Sequence, residues 1–180
     1  MHTFKPLFAI ADLITLRIGL DTAFEIDDHD LLRLGMAWPK LQILELKDRT
    51  ILSVPKITLA GVFRFVASCP DLEELTLRLN AFGDIAICAR LGAIRPHLCL
   101  RKFNHCRSSI KDPIQVAAIL AFMFPNLSTL SAEHYHGGPN GGLLDFTTAD
   151  VKEKTYLERR EKVEDMMLPL LKCHDTAQSR

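Results

Sequence analysis

The residue types able to do chemistry gather in three places along the chain. His97, Cys99, His105 and Cys106 supply the nitrogen and sulfur atoms that zinc takes in a tetrahedral set. His105 and Cys106 are neighbours, however, and an extended strand sends adjacent side chains to opposite faces, so convergence on one ion is not expected. Asp27-Asp28-His29-Asp30 offers carboxylate oxygens suited to a hard cation, but it lacks the ligand spacing of a calcium loop and stands where a helix begins. Capping the free N–H groups of that helix is the role its position predicts. Glu133-His134-Tyr135-His136 runs into Gly137-Gly138-Pro139-Asn140-Gly141-Gly142, whose glycines would let backbone amides approach an anion. The Lys-Ser/Thr ending of a nucleotide-binding loop is missing, and no serine sits in a glycine elbow between a strand and a helix. A metal-dependent or hydrolytic enzyme built on His105, His134 and His136 is the competing reading. No nucleophile, base and orienting acid can be assembled from these residues, so the expectation is a non-enzyme with no catalytic residue, no metal and no cofactor.

The elements that position these residues repeat. Leucine, two residues, an apolar residue, one residue, and an apolar or small residue recur at Leu13-Leu16-Ile18, Leu41-Leu44-Leu46, Leu72-Leu75-Leu77, Leu100-Phe103-His105 and Leu127-Leu130-Ala132. Successive first leucines lie 28, 31, 28 and 27 residues apart, which leaves room for a helix after each strand. A proline recurs two residues before a leucine in Trp38-Pro39-Lys40-Leu41, Cys69-Pro70-Asp71-Leu72, Arg95-Pro96-His97-Leu98 and Phe124-Pro125-Asn126-Leu127. Proline removes an N–H and disfavours helical geometry before it, so each marks the end of a helix. The two registers disagree once, at Leu98 against Leu100, which predicts about two extra residues in that turn. Helix starts are expected at Asp27 or Asp28, Thr58 and Asp112, the last followed by Pro113 in the favoured first position. A further helix is expected over Ala81 to Ile94, and Leu7 to Ile18 reads as a lead-in to the first strand.

Strand then helix, several times over, predicts an α/β fold: a leucine-rich-repeat solenoid in a short horseshoe arc, with parallel strands on the concave face and helices on the convex face. Residues 1–136 would hold four to five repeats, 137–150 a glycine-rich loop, 151–173 a C-terminal amphipathic helix and 174–180 a tail. Tyr156, Val163, Met167 and Leu170 form the apolar stripe of that last helix, which either caps the final repeat or binds a partner; Pro169 should kink or end it near Leu168.

Side chains alternate along a strand, so residues between the apolar positions face the concave surface. Thr15, Arg17, Ile43, Glu45, Glu74, Thr76, Lys102, Asn104, Thr129 and Ser131 qualify, with Lys47, Arg78 and Glu133 just beyond. The candidate partner-binding set is Arg17, Glu45, Lys47, Glu74, Thr76, Arg78, Lys102, Asn104, Ser131 and Glu133. Mixed charges and hydroxyls on one sheet suit a protein surface better than a phosphate backbone, although an ordinary solvated sheet face has the same composition.

The totals agree with that picture. With 180 residues, 48% of them hydrophobic, the chain can bury a core without staples. Lys+Arg and Asp+Glu both number 22, so no net field recruits nucleic acid or an anionic membrane. The five cysteines include no C-x-x-C pair, which fits free thiols in a cytoplasmic or nuclear protein. Pro113 to Ala132 is uncharged but interrupted by Gln115, Pro125, Asn126, Ser128, Thr129 and Ser131, so a buried helix and strand are expected there rather than a membrane span.

Ala37-Trp38-Pro39-Lys40-Leu41, Ile57-Thr58-Leu59 leading to Ser68-Cys69-Pro70-Asp71-Leu72, and Ser108-Ser109-Ile110-Lys111-Asp112-Pro113 leading to Phe124-Pro125-Asn126-Leu127 resemble the leucine-rich-repeat region of the fungal (basidiomycete) F-box-type proteins. The resemblance covers most of the chain. It implies the substrate-recognition part of a ubiquitin ligase receptor, or a truncated relative, that holds an unknown target protein. Only twelve residues precede Leu13, too few for an F-box, so a Skp-type adaptor is expected as a partner only if an F-box lies upstream. A stand-alone repeat protein without a ligase role is the other expectation.

Overall fold

The computed structural model describes residues 2–48, 53–82, 95–132, 155, 157–167 and 169–170. Within them the chain is a mixed α/β protein organised on a five-stranded parallel sheet. Strands β1 (Thr15–Leu20), β2 (Ile43–Asp48), β3 (Glu74–Thr76), β5 (Lys102–Asn104) and β7 (Thr129–Ser131) lie side by side in that order. Two shorter strands, β4 (Asn80–Ala81) and β6 (Ser109–Ile110), pair with each other in parallel. The strands of the large sheet therefore follow one another in chain order, as parallel strands joined by crossover connections allow.

Helices α1 (Asp28–Ala37), α2 (Leu59–Ser68) and α3 (Pro113–Met123) lie in three of the four crossovers, and much of the one between β3 and β5 lies outside the described residues. Each begins where an oxygen-bearing side chain meets its free amides: Asp27 accepts from the Asp30 N–H at 2.9 Å, Thr58 Oγ1 from the Gly61 N–H at 3.2 Å, and Asp112 from the Ile114 and Gln115 N–H groups at 3.1 Å. Each stops at the residue before a proline, with Trp38, Cys69 and Phe124 as C-caps. Successive helices are also stitched together. Both carboxylate oxygens of Asp28 accept from Thr58, one from its N–H and one from its hydroxyl, each at 2.6 Å. A Cβ on Gly61 would stand 2.0 Å from Asp28 Oδ1, so only glycine leaves room for that bridge.

The sheet register stacks like on like. Leu16, Leu44, Leu75, Phe103 and Leu130 form one row across all five strands, and they share a single core with Leu34 of α1, Val62 and Phe63 of α2 and Leu120 of α3. Residues 157–167 are helical (α4), and Val163 and Met167 are fully buried in the same core.

Several expectations need correction. The N-terminal segment is not a lead-in to a strand at Leu13: His2–Ala9 is a 3-10 helix and β1 begins at Thr15. Its Phe4 is buried against Phe24 and its Phe8 packs on Trp38 at 5.6 Å, so even this short segment covers the apolar end of the first layer. Ala81 lies in β4 rather than opening a helix, and the rest of that expected helix, 83–94, lies outside the described residues. The stripe of α4 also differs: Leu170 is exposed, whereas Arg160 is buried one turn before Val163. Its long aliphatic stem lets an arginine occupy a position that charge alone argues against. Residues 169 and 170 are helical, against an end near Leu168, while Tyr156 and Leu168 themselves lie outside the described residues. The glycine-rich loop 137–150 lies outside the described residues.

Candidate functional site

The face of the sheet opposite the helices is open, and its charged residues come from four different strands. The register aligns Thr15, Ile43, Glu74, Lys102 and Thr129 in one row and Arg17, Glu45, Thr76, Asn104 and Ser131 in the next. Short strands in register bring side chains from positions a whole repeat apart to within pairing distance. Lys102 Nζ sits 2.6 Å from Glu74 Oε1 and Lys47 Nζ 3.1 Å from Glu45 Oε1. Arg17 lies between the two acids, 3.8 Å from Glu45 and 3.7 Å from Glu74. Five of the ten candidate residues thus form one connected network of three cations and two carboxylates. All five side chains keep contact with solvent, so each pair contributes about 0–1 kcal/mol and is easily exchanged for another partner.

Thr76, Asn104 and Ser131 continue the second row toward β7 as a neutral polar strip. Asn104 is partly engaged, its Oδ1 accepting from the Cys106 N–H at 2.8 Å. Glu133 lies outside the described residues.

Arg78 does not belong to the open face. It is buried, and its guanidinium donates to Asp48 Oδ1 at 2.6 Å and to the Ser53 carbonyl at 2.7 Å. The other Asp48 oxygen accepts from the Phe24 N–H at 3.4 Å. Alternation predicts a side chain's face only while the strand continues; β3 ends at Thr76, and Leu77, Arg78 and Leu79 are all buried as the chain turns. The signal that could have found this pair is Asp48 itself. It stands in phase with Leu44 and Leu46, an inward charge that calls for a counter-charge. Beside the pair is a recess of about 30 Å³, room for one water molecule.

The four residues with zinc-type donors each have another setting. The Leu100 N–H donates to His97 Nδ1 at 3.2 Å, which places the ring proton on Nε2, 3.0 Å from the Cys69 carbonyl. Cys99 is exposed. His105 and Cys106 are both buried, contrary to the alternation rule, because the strand ends at Asn104 and Cys106 turns into the left-handed region at φ 47°. His105 Nε2 lies 3.8 Å from Glu164 of α4. Cys69 is buried, 3.6 Å from the Trp38 carbonyl, and burial pushes its thiol up to about 12. Among the described residues the metal-type donors that do converge are Asp27, His29 and Asp30, within 4.8 Å of one another. They are exposed or half-buried, and the helix cap accounts for Asp27. His134 and His136 lie outside the described residues.

No helix among the described residues is long and apolar enough to cross a membrane. Comparison with family models, with curated proteins and with solved structures finds no match to this chain.

Proposed function

We propose that the chain is a leucine-rich-repeat solenoid that binds another protein through the open face of its sheet, the concave side of a short arc. The recurring leucine spacing, the strands laid down in chain order and the helices sharing one core behind them support the repeat reading. The observation that carries the binding reading is the ion-pair network of Arg17, Glu45, Lys47, Glu74 and Lys102. These charges lie close to one another in the free chain and can re-pair with an incoming surface at little cost, so they select a partner by its charge pattern.

Together with the turn motifs shared with fungal F-box-type proteins, this favours a role as the substrate-recognition part of a ubiquitin ligase receptor, or as a truncated relative of one. The target protein is unassigned. A Skp-type adaptor enters only through an F-box upstream of these residues, and a stand-alone repeat protein uses the same face without one. The reading gives the chain no catalytic residue and no cofactor, and puts it in the cytoplasm or nucleus.

The test is the double exchange Glu74→Lys with Lys102→Glu. It keeps the pair and the net charge while inverting the pattern shown to a partner. Cross-linked partners captured by the native chain and lost by the exchanged one, at an unchanged melting temperature, are the expected result. Equal capture by both chains would remove this face from the function.

A further inference from the structure

The sheet's first edge is as informative as its face. The Ile14 carbonyl accepts from the Gln42 and Ile43 N–H groups at 2.8 and 3.1 Å, so the even-numbered residues of β1 turn their backbone groups toward β2. Backbone groups alternate sides along a strand, and those of Thr15, Arg17 and Gly19 therefore point away from the sheet. Among the described residues no strand pairs with that edge. Thr15, Arg17 and Gly19 are all exposed, and a Cβ on Gly19 would meet nothing within 4 Å. The 3-10 helix covers the apolar layer behind the strand and leaves this row of donors and acceptors open.

Natural edges are commonly blunted by proline, a bulge or an inward charge, and β1, with the sequence TLRIGL, has none of these. Its one charge is Arg17, on the open face, whose side chain is 55% exposed. Lys47 and Lys102 hold the two carboxylates of the network at 3.1 and 2.6 Å, whereas neither contact of Arg17 reaches hydrogen-bond distance. Arg17 makes the longest contacts of the three network cations, and it sits beside the open edge.

We infer that β1 is a docking edge for an extended segment of a partner protein that adds a strand beside Thr15, Arg17 and Gly19 and carries an acidic side chain next to Arg17. Backbone pairing supplies affinity that is indifferent to sequence, and the guanidinium selects for the carboxylate. A second copy of this chain is the less fitting occupant, because Thr15–Leu20 contains no carboxylate and would bring another arginine to the edge. The inference rests on the protein-binding reading only in taking the ligand to be a polypeptide.

The probe is a fluorescein-labelled nine-residue peptide of alternating serine and valine with one central glutamate, compared by anisotropy with its central-lysine counterpart. The glutamate peptide is expected to bind about tenfold more tightly, the preference reversing in Arg17→Glu. Binding should disappear when alternate peptide nitrogens on the pairing side are methylated, and in Gly19→Pro, which removes an outward donor. The methylated peptide leaves the protein untouched and keeps the test decisive if the proline variant unfolds. Amide shifts on binding should concentrate at Thr15, Arg17 and Gly19. Absence of binding, indifference to N-methylation or to Arg17→Glu, or a chain that dimerises through β1 and excludes the peptide would each overturn the inference. The assay uses no natural partner and leaves Glu74 and Lys102 unaltered. Its failure therefore stands apart from a failure of the open-face reading, which the double exchange reports.

Discussion

Four turns lead from a proline into a strand of the large sheet, and three of them close in one way while the fourth closes in another. After α1, α2 and α3 the C-cap residues Trp38, Cys69 and Phe124 have nearly the same backbone, with φ between −125° and −130° and ψ between 66° and 76°. Their carbonyls accept from the N–H groups of Leu41, Leu72 and Leu127, each at 3.1 Å. In these turns backbone closes backbone. The turn before β5 is two residues longer, and there a side chain does the closing. His97 Nδ1 takes the Leu100 N–H, its Nε2–H reaches the Cys69 carbonyl of the preceding turn, and its own N–H donates to the Met123 carbonyl of the following helix at 2.8 Å. The two kinds of turn share a requirement, a partner for the leucine amide two residues before the strand, and differ in what meets it.

The sharpest way to break the comparison is to remove the side chain that closes the long turn. His97→Ala leaves the buried Leu100 N–H without an acceptor and withdraws the ring from beside Phe124, and it should cost about 3 kcal/mol in urea denaturation. Cys69→Ala, in a turn closed by backbone, should cost about 1 kcal/mol, because the Leu72 bond is untouched. His97→Asn should recover about 1 kcal/mol of the alanine loss, since its side-chain oxygen can take the place of Nδ1 but nothing then reaches Cys69. If alanine at position 97 proves no worse than alanine at 69, side-chain closure is wrong. A smaller effect follows from length. Deleting Leu98 and Cys99 in the His97→Ala background gives this turn the same proline-to-leucine spacing as the other three, and should raise the melting temperature above that of His97→Ala alone. Leu98 is 58% exposed and Cys99 is exposed, so little packing goes with them.

The same turn marks how far residue patterns carry. The disagreement between the proline and leucine registers predicts its two extra residues, and Leu100, fully buried, is the correct start of the strand motif. That a histidine would close it was not readable, because nothing in local spacing says where Cys69 lies. Helix starts are readable at Thr58 and Asp112, and to within one residue at Asp27 or Asp28, because a cap acts within three residues. The open face was readable while the strands kept their alternation, which joined Arg17, Glu45, Lys47, Glu74 and Lys102. It failed one residue past Leu77, where Arg78 follows the turning chain inward to Asp48. Arg160 escapes residue patterns for a related reason: its charged end suits solvent, but its stem can line a core.

The least disruptive probe of the two turn types is the reactivity of their cysteines, since each kind carries one. Cys69 caps a backbone-closed turn, has no solvent exposure, and sits 3.6 Å from the Trp38 carbonyl, which its S–H can meet. Burial raises its thiol to about 12, so the folded chain holds it protonated throughout the neutral and mildly alkaline range. Its folded pKa lies above the ordinary value of 9.0, so the unfolded chain loses this proton first as pH rises. Between about 9 and 12 that release favours unfolding, while near pH 8 it contributes almost nothing. Cys99 is one of the two extra residues of the long turn and faces solvent. Iodoacetamide at pH 8, followed by peptide mapping, should therefore modify Cys99 rapidly and reach Cys69 only after denaturant is added. Cys69 alkylated at a rate near that of Cys99 in the native chain would mean that the backbone-closed turn opens far more readily than its packing against Gly35 and Trp38 implies. The contrast between the two turns would then be one of local stability as well as of geometry.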